Sequence, residues 1–371
     1  MRSALDERAL KAAAEIVEDV KSRGLEAARE WSLRLDGLAP EKPLLDARAP
    51  SSFDATVVEA ALKAAESLER LYAKALPADA VDFFEGIMRV VKWLPVDSAA
   101  VYVPARYIST LVMTAVPAKV AGVKRIYAVT PPKGATPELL ALAERLGLAG
   151  VVPLGGAQGL AYAVFHLGVD LVAGPGGAYV QAAKYVLSRY VGIDGIEGPT
   201  ELAVYAEGVS AEVAMKGVLA QLEHGPASFA LLLSRDAGLL EKARGIYEAS
   251  KTSSMGPLEV RRVGGLEEAA DVINSLAPEH VEVWGAPQLV PLIRNAGAIS
   301  VNSPSPLLDY VAGISHVLPT GGSARWRGAL TPLAFMKPIG IAWELSASPL
   351  RRYGEVLARY EGFKHHGDAL R

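Results

Sequence analysis

The feature that most constrains the fold is a repeated alternation of short apolar runs, glycine-rich loops and helical segments. Residues 124–129, 151–154 and 170–173 have the composition of buried strands, and an apolar helical segment follows each of them. A similar alternation resumes after Gly198-Pro199. This pattern predicts βαβ units and parallel sheets, with ligands at the strand ends where the glycines lie.

We therefore predict an α/β fold with two Rossmann-like parallel-sheet domains, N-terminal helices and a C-terminal helical tail. A length of 371 residues is sufficient for two or three domains. The predicted division is an N-terminal helical segment (1–101) joining the half at 200–335, a domain with the cofactor loops (102–199), a second domain with the metal-binding and acid–base residues (200–335) and a tail (336–371).

Composition excludes several kinds of site and partner. The chain has no cysteine, so any metal ion must be held by nitrogen and oxygen. Lys and Arg total 38 and Asp and Glu total 41, a net charge of −3, which argues against binding to nucleic acid or to an acidic membrane surface. No run approaches the roughly 18 apolar residues of a membrane span, and the first residues lack the apolar block of a secretory signal. We expect a cytoplasmic protein.

Five of the six histidines follow residue 220, each in a distinctive setting. Gln221 and His224 are three residues apart near a predicted helix end, so an amide oxygen and an imidazole can share a cation. Glu279 and His280 are adjacent, and such a pair can divide acid and base duties when burial shifts their pKa values. Taken alone, these patterns are also typical of a helix cap and of an inert surface pair.

Two later segments contain further candidate residues. A Gly- and Pro-rich segment carries Asp309 and His316, a pattern typical of a loop that lines a site and equally of a long surface loop. Glu361, His365 and His366 lie close to the C-terminus. Histidines in that position are also typical of a solvated tail.

In combination, these segments resemble the histidinol dehydrogenase family over almost the whole chain. The Ala-Pro-Glu-His and Asp-Tyr…His-Val-Leu-Pro-Thr motifs are the most specific. The matching motifs, in the family's order, are Tyr102-Val103-Pro104, Gly155-Gly156-Ala157-Gln158, Gly174-Pro175-Gly176, Gly198-Pro199-Thr200-Glu201, Gln221…His224-Gly225, Ala277-Pro278-Glu279-His280, Asp309-Tyr310…His316-Val317-Leu318-Pro319-Thr320 and Glu361-Gly362…His366.

The resemblance implies a role for each matched residue. His280 would take a proton from the alcohol, and Glu279 would activate a water molecule. The implied zinc ligands are Gln221, His224, Asp309 and His366. The implied substrate contacts are these four residues with His280, Thr200, His316 and Glu361. The implied NAD contacts are Tyr102, Gln158 and Gly177.

The implied reaction is the oxidation of L-histidinol to L-histidine through histidinaldehyde with two NAD⁺, the last steps of histidine biosynthesis. The family also implies a homodimer with shared active sites. The chain departs from the family on the cofactor side, because Gly177 stands where the family usually has Asn and residues 105–110 form a shorter loop. Thr200 stands where the family usually has Ser. Arg106 is a candidate to replace lost contacts by pairing with the pyrophosphate.

Three other functions stay open at this point. A paralogous NAD-dependent dehydrogenase of another small alcohol is the nearest, although His316 and Glu361, which serve an imidazole-bearing substrate, argue against it. A zinc hydrolase would use Glu279 to activate a metal-bound water, and formation of NADH would exclude that function. A catalytically silent subunit that has lost NAD would explain Gly177 and the short loop.

Overall fold

The structure, a computed structural model, describes residues 6–371. Its helices are α1 (Glu7–Arg23), α2 (Leu25–Asp36), α3 (Ala55–Tyr72), α4 (Ile108–Ala121), α5 (Pro137–Leu146), α6 (Gly156–His166), α7 (Ala178–Leu187), α8 (Ala211–Leu222), α9 (Ala237–Ser250), α10 (Leu266–Leu276), α11 (Pro306–Tyr310), α12 (Leu350–Tyr360) and α13 (Lys364–Ala369). Its strands are β1 (Ala80–Phe84), β2 (Ile87–Pro95), β3 (Ser98–Tyr102), β4 (Arg125–Val129), β5 (Gly150–Val152), β6 (Leu171–Ala173), β7 (Gly192–Ile193), β8 (Glu201–Ala206), β9 (Phe229–Ser234), β10 (Leu258–Arg262), β11 (His280–Trp284), β12 (Ala298–Val301) and β13 (Met336–Glu344). Within residues 6–371, no helix is both long enough and apolar enough to cross a membrane.

The first half is built on a parallel sheet with the strand order β5-β4-β3-β6-β7. Strands β3, β5 and β6 are buried along their whole lengths, as expected for a parallel sheet covered on both faces. Gly174, directly after β6, has a φ of +121°, and a Cβ at this position would clash with the Tyr102 carbonyl oxygen. Only glycine therefore fits where β6 leaves the sheet beside β3.

The second half repeats this arrangement with the order β10-β9-β8-β11-β12, again all parallel. In both sheets the strands lie in the order third, second, first, fourth and fifth along the chain, which is Rossmann-like. The predicted α/β fold with two Rossmann-like sheets is thereby confirmed. The segment after β11 forms a 3₁₀ helix, Pro287–Leu292, and Pro291 inside it cannot donate a backbone hydrogen bond.

The N-terminal helices pack on the first sheet's helices. The apolar face of α1 shares one hydrophobic core with α6 and α7, and α3 packs against α4 and α5. The predicted division differs here, because it joined residues 1–101 to the half at 200–335. Residues 98–102 also belong to the first sheet, as β3. Helical spacing of apolar residues identifies the buried face of a helix but not the sheet that it covers.

Residues 76–95 and 336–371 form a second compact unit. Its antiparallel sheet has the order β1-β2-β13, and β13 pairs with β2 along its whole length. Helices α12 and α13 then pack against each other. The helices predicted for the tail are thus preceded by a strand, which the sequence obscures because Pro338 and Gly340 are unfavourable inside strands.

A buried ion cluster joins the two halves of the first unit. The Lys184 Nζ lies 2.7 Å from both Asp194 Oδ1 and Glu197 Oε2, and it donates to the Gly174 carbonyl oxygen at 2.9 Å. Burial alone would lower the pKa of Lys184, but the two carboxylates raise it above its usual value, so the ammonium stays charged. Arg327, from the segment between α11 and β13, binds Glu197 Oε1 at 3.0 Å.

We predict that Lys184→Met lowers the free energy of unfolding by about 3–5 kcal/mol, because it leaves the buried Asp194 without a cation and Glu197 with Arg327 alone. Urea unfolding followed by circular dichroism measures the loss. Lys63→Met is the matched control, since it removes an exposed ion-pair partner of Glu66 and should have little effect. Equal losses in the two variants would contradict a stabilising role for the cluster.

Candidate active site

A cleft of about 680 Å³ lies between the two sheets of the first unit. One wall is formed by the loops after β3 and β6, which contribute Pro104, Tyr107 and Gly177. On the other side, Thr200 and His280 lie at the starts of β8 and β11. The carboxyl end of the first sheet therefore faces the amino end of the second sheet across the cleft.

His280 is the first residue of β11 and is almost completely buried. Its Nε2 lies 3.2 Å from Asp309 Oδ1 without forming a hydrogen bond, and its Nδ1 has no hydrogen-bond partner. Burial, with smaller contributions from His316 and His224, lowers the pKa of His280 to about 3. The imidazole is therefore neutral near pH 7 and can accept a proton.

Glu279 lies beside His280, with its Oε1 4.0 Å from His280 Nε2. Its Oε2 accepts a hydrogen bond from the Glu201 backbone N–H at 3.3 Å, and the Thr200 side chain also binds the carboxylate. Burial, followed by the negative charge of Asp309, raises the pKa of Glu279 well above its usual range. Neighbouring carboxyl and imidazole groups with shifted pKa values are able to act as general acid and general base.

The end of α8 brings Gln221 and His224 to the cleft, opposite Asp309 on α11. Gln221 Nε2 donates to Asp309 Oδ2 at 3.0 Å, while Asp309 Oδ1 has no hydrogen-bond partner. His224 Nδ1 contacts the Ala220 carbonyl oxygen at 3.2 Å. That contact leaves His224 Nε2 as the ring nitrogen available to a ligand, as is usual for a metal-binding histidine.

These three residues fit a divalent cation. Gln221 and Asp309 offer oxygen, His224 offers imidazole nitrogen, and the buried Asp309 Oδ1 has no donor to neutralise it. Burial raises the pKa of Asp309 to about 7, so a cation at this carboxylate would restore its charged form. Within residues 6–371, no group of three or more His, Cys, Asp or Glu residues forms a metal cluster.

His316 connects the cleft to the first half. Its Nε2 lies 3.1 Å from the Thr110 hydroxyl on α4, and its Nδ1 lies 3.0 Å from the Asp309 carbonyl oxygen. Burial lowers the pKa of His316 to about 4, so this ring is also neutral near pH 7. Both ring nitrogens are held, which fixes the orientation of the imidazole at the wall of the cleft.

The residues that the resemblance assigns to NAD lie at the carboxyl end of the first sheet. Tyr102 ends β3, Gln158 lies in the first turn of α6 after β5, and Gly177 precedes α7 after β6. Gln158 Nε2 donates to Asp36 Oδ2 at 3.0 Å, whereas its buried Oε1 has no partner. The Tyr102 hydroxyl accepts a hydrogen bond from the Gly156 N–H at 3.4 Å.

Arg106 lies in the short loop after β3 and has a φ of +72°. Its side chain is exposed and lines a separate hollow of about 270 Å³ with Asp54, Tyr107 and Glu138. Tyr107 also lines the main cleft. The pairing of Arg106 with a pyrophosphate stays a prediction.

Two of the predicted residues belong to the second unit. Glu361 follows α12 directly, and His366 lies within α13. Both side chains are exposed. Their place in the site stays a prediction.

Sequence reasoning missed four residues that support the site: Asp36, Thr110, Glu282 and Ser305. Of these, only Glu282 had a local signal. It is two residues after His280, and residues two apart on a strand share a face. The other three residues reach the site through tertiary contacts with Gln158, His316 and Gln221 respectively.

The fold is that of an α/β protein with two Rossmann-like parallel sheets, whose shared cleft holds Glu279 and His280 beside side chains that fit a cation. A solved histidinol dehydrogenase from Elizabethkingia anophelis has the same fold: the match has a TM-score of 0.89 at 23% identity and covers 100% of this chain and 92% of that one. An NAD-dependent aldehyde dehydrogenase from Sinorhizobium meliloti matches more distantly, with a TM-score of 0.53 at 15% identity over 90% and 82% of the two chains.

The sequence comparisons are more specific. The model of the family described as histidinol dehydrogenase matches residues 1–371. A curated histidinol dehydrogenase from Pyrobaculum aerophilum is 64% identical over 96% of both chains, and one from Saccharolobus solfataricus is 36% identical over 98% of this chain and 95% of its own length. The chain belongs to the histidinol dehydrogenase family and is an oxidoreductase.

We predict that His280 and His316 stay neutral at about pH 6 in the metal-free protein, because burial disfavours the charged imidazole. A pH titration of the ring ¹⁵N chemical shifts reports the protonation of each ring directly. His280→Asn and His316→Asn variants assign the signals. Protonation of either ring near its ordinary pKa of 6.5 would show that the ring is hydrated rather than buried.

Proposed function

We propose that this protein oxidises L-histidinol to L-histidine through histidinaldehyde with two NAD⁺, as the last steps of histidine biosynthesis. The observation that carries the proposal is that the Glu279–His280 pair shares one cleft with Gln221, His224 and Asp309. Membership of the histidinol dehydrogenase family over the whole chain supports the choice of substrate.

In this proposal, Gln221, His224, Asp309 and His366 hold a zinc ion, and the same residues contact the substrate through it. A bound zinc ion would polarise the alcohol oxygen and orient the substrate. The partnerless Asp309 Oδ1 and the backbone contact at His224 Nδ1 support this assignment. Oxygen and imidazole ligands also agree with a chain that has no cysteine.

His280 is the base of the first oxidation. Its neutral imidazole accepts the alcohol proton. NAD⁺, when bound, would take the hydride from the carbinol carbon, so that the products would be the aldehyde, NADH and a protonated His280.

Glu279 is the base of the second oxidation. Its raised pKa makes the carboxylate more basic than an ordinary glutamate, so it takes a proton from the water that adds to the aldehyde carbon. A second NAD⁺, when bound, would take a hydride from the hydrated aldehyde, which would become the carboxylic acid. The Glu201 N–H and the Thr200 side chain keep Glu279 in place.

Thr200, His316 and Glu361 contact the substrate in this proposal. Thr200 and His316 line the cleft. The Thr110 hydroxyl and the Asp309 carbonyl oxygen hold the His316 ring in a single orientation. A fixed neutral ring can pack against the substrate without repelling a cationic amine.

Tyr102, Gln158 and Gly177 bind NAD in this proposal. They lie after β3, β5 and β6, at the end of the sheet where Rossmann-like folds bind dinucleotides. The free Gln158 Oε1 can accept a hydrogen bond from the cofactor. Gly177 offers only backbone groups at the N-terminus of α7, which suit a phosphate.

We further propose a cytoplasmic homodimer in which the two subunits share their active sites, with Glu361 and His366 supplied by the C-terminal tail. Helix α12 supports an additional contact surface, because several of its large apolar side chains are exposed: Tyr353, Val356, Leu357 and Tyr360. Contiguous exposed apolar groups of this kind mark interaction surfaces.

Removal of the metal tests the zinc site. We predict that prolonged chelation abolishes formation of NADH from L-histidinol, and that added Zn²⁺ restores it, because the metal orients the alcohol. NADH absorbance measures both changes. Undiminished activity in the chelated protein would contradict the zinc site, and turnover of L-histidinol without NADH would exclude a dehydrogenase.

Glu279→Gln separates the two oxidations. It should slow oxidation of histidinaldehyde by about 10²–10⁴-fold, while oxidation of L-histidinol to the aldehyde changes much less, since the amide cannot take a proton from water. Stopped-flow traces of the first and second NADH measure the two steps separately. His280→Asn is the matched control and should slow the first step. Equal losses at both steps in Glu279→Gln would remove its assigned role.

A further inference from the structure

Glu282 is a further buried carboxylate, and it lies directly beneath the side chains that fit a cation. It projects from the same face of β11 as His280 and has no exposed surface. Gly217 on α8 makes room for it, because a Cβ at Gly217 would clash with Glu282 Oε1. The acid–base chemistry proposed above does not use this group.

Two donors hold the Glu282 carboxylate. Its Oε1 accepts from the Ser305 backbone N–H at 2.6 Å, and its Oε2 accepts from Trp284 Nε1 at 3.0 Å. The short bond from its backbone N–H fixes the position of Ser305, and with it the position of the Ser305 hydroxyl oxygen.

The Ser305 hydroxyl oxygen in turn accepts a hydrogen bond from the Gln221 side chain. Gln221 Nε2 donates to Ser305 Oγ at 3.0 Å and to Asp309 Oδ2 at 3.0 Å. Both protons of the Gln221 amide group are thereby used, and its Oε1 takes part in neither bond. A flipped amide would place its oxygen against the Asp309 carboxylate and lose that bond.

We infer that Glu282 is a positioning residue which, through the Ser305 hydroxyl, fixes the Gln221 amide so that its oxygen is the atom available to a metal ion. The inference rests on the zinc site of the proposed function. Without the relay, the amide can present either its oxygen or its NH₂ group to the cleft. An NH₂ group cannot bind a cation.

Two substitutions interrupt the relay at different points. Glu282→Gln provides an amide that can donate to Ser305 Oγ and compete with Gln221 for that oxygen. Ser305→Ala removes the oxygen but keeps the backbone N–H that binds Glu282. Trp284→Phe is the matched control, since it removes a donor from the same carboxylate without touching Ser305 or Gln221.

The experiment measures binding of Zn²⁺ alone to the full-length protein, by competition with a chromophoric chelator. We expect both relay variants to bind Zn²⁺ about 10–100-fold more weakly than the wild type. Trp284→Phe should stay within about twofold of the wild type. The visible spectrum of Co²⁺-loaded protein should change in the relay variants and not in the control, because it reports the donor atoms.

The outcomes separate this inference from the proposed function. Wild-type affinity and an unchanged Co²⁺ spectrum in Ser305→Ala would overturn the role of Glu282 while leaving the zinc site intact. A wild-type protein that binds no Zn²⁺ would overturn both. Thermal unfolding shows whether Glu282→Gln folds. If it does not, Ser305→Ala still decides the question, because the alanine introduces no new polar group into the core.

Discussion

The ion pairs of the buried Lys184 with Asp194 and Glu197 are the interaction that holds both walls of the cleft. Lys184 binds the carbonyl oxygen of Gly174 in the loop after β6, and Asp194 binds the N–H of the same residue at 2.8 Å. Arg327 connects Glu197 to the segment that follows α11. The cluster therefore fixes the glycine-rich loop of the first half relative to the second half, which carries the acid–base residues.

Burial of the side chains along this cleft shifts their pKa values in opposite directions. Burial disfavours charge on every group, so it lowers the pKa of His280 and raises the pKa of Glu279. Both shifts favour the uncharged form of the side chain. The same desolvation raises the pKa of Asp309, and a cation is the partner that would best compensate for it.

Most of the fold, but only part of the candidate site, could be predicted from the sequence. Apolar runs between glycine loops predict the strands of both sheets, because parallel strands are buried on both faces. They do not predict that α1 packs on α6 and α7, or that β13 pairs with β2, since these contacts join distant segments. Motif resemblance finds Gln221, His224 and Asp309, which lie together in the cleft. It does not find Asp36, which reaches Gln158 from 122 residues away.

The two sheets have the same strand order but contribute opposite ends to the cleft. A Rossmann-like sheet usually opens its crevice at the carboxyl ends of its first and fourth strands. At that end of β8 and β11, protein groups bind one another: Gly285 N–H donates to Asn302 at 2.8 Å, and the Tyr205 hydroxyl donates to the Glu207 side chain at 2.9 Å. A Cβ on Gly285 would clash with the Glu207 carbonyl oxygen, so the two loops are in close contact. The second half instead presents Glu279 and His280 at its amino end, facing the glycine loops of the first half, so the cleft combines the usual ligand-binding end of one sheet with the opposite end of the other.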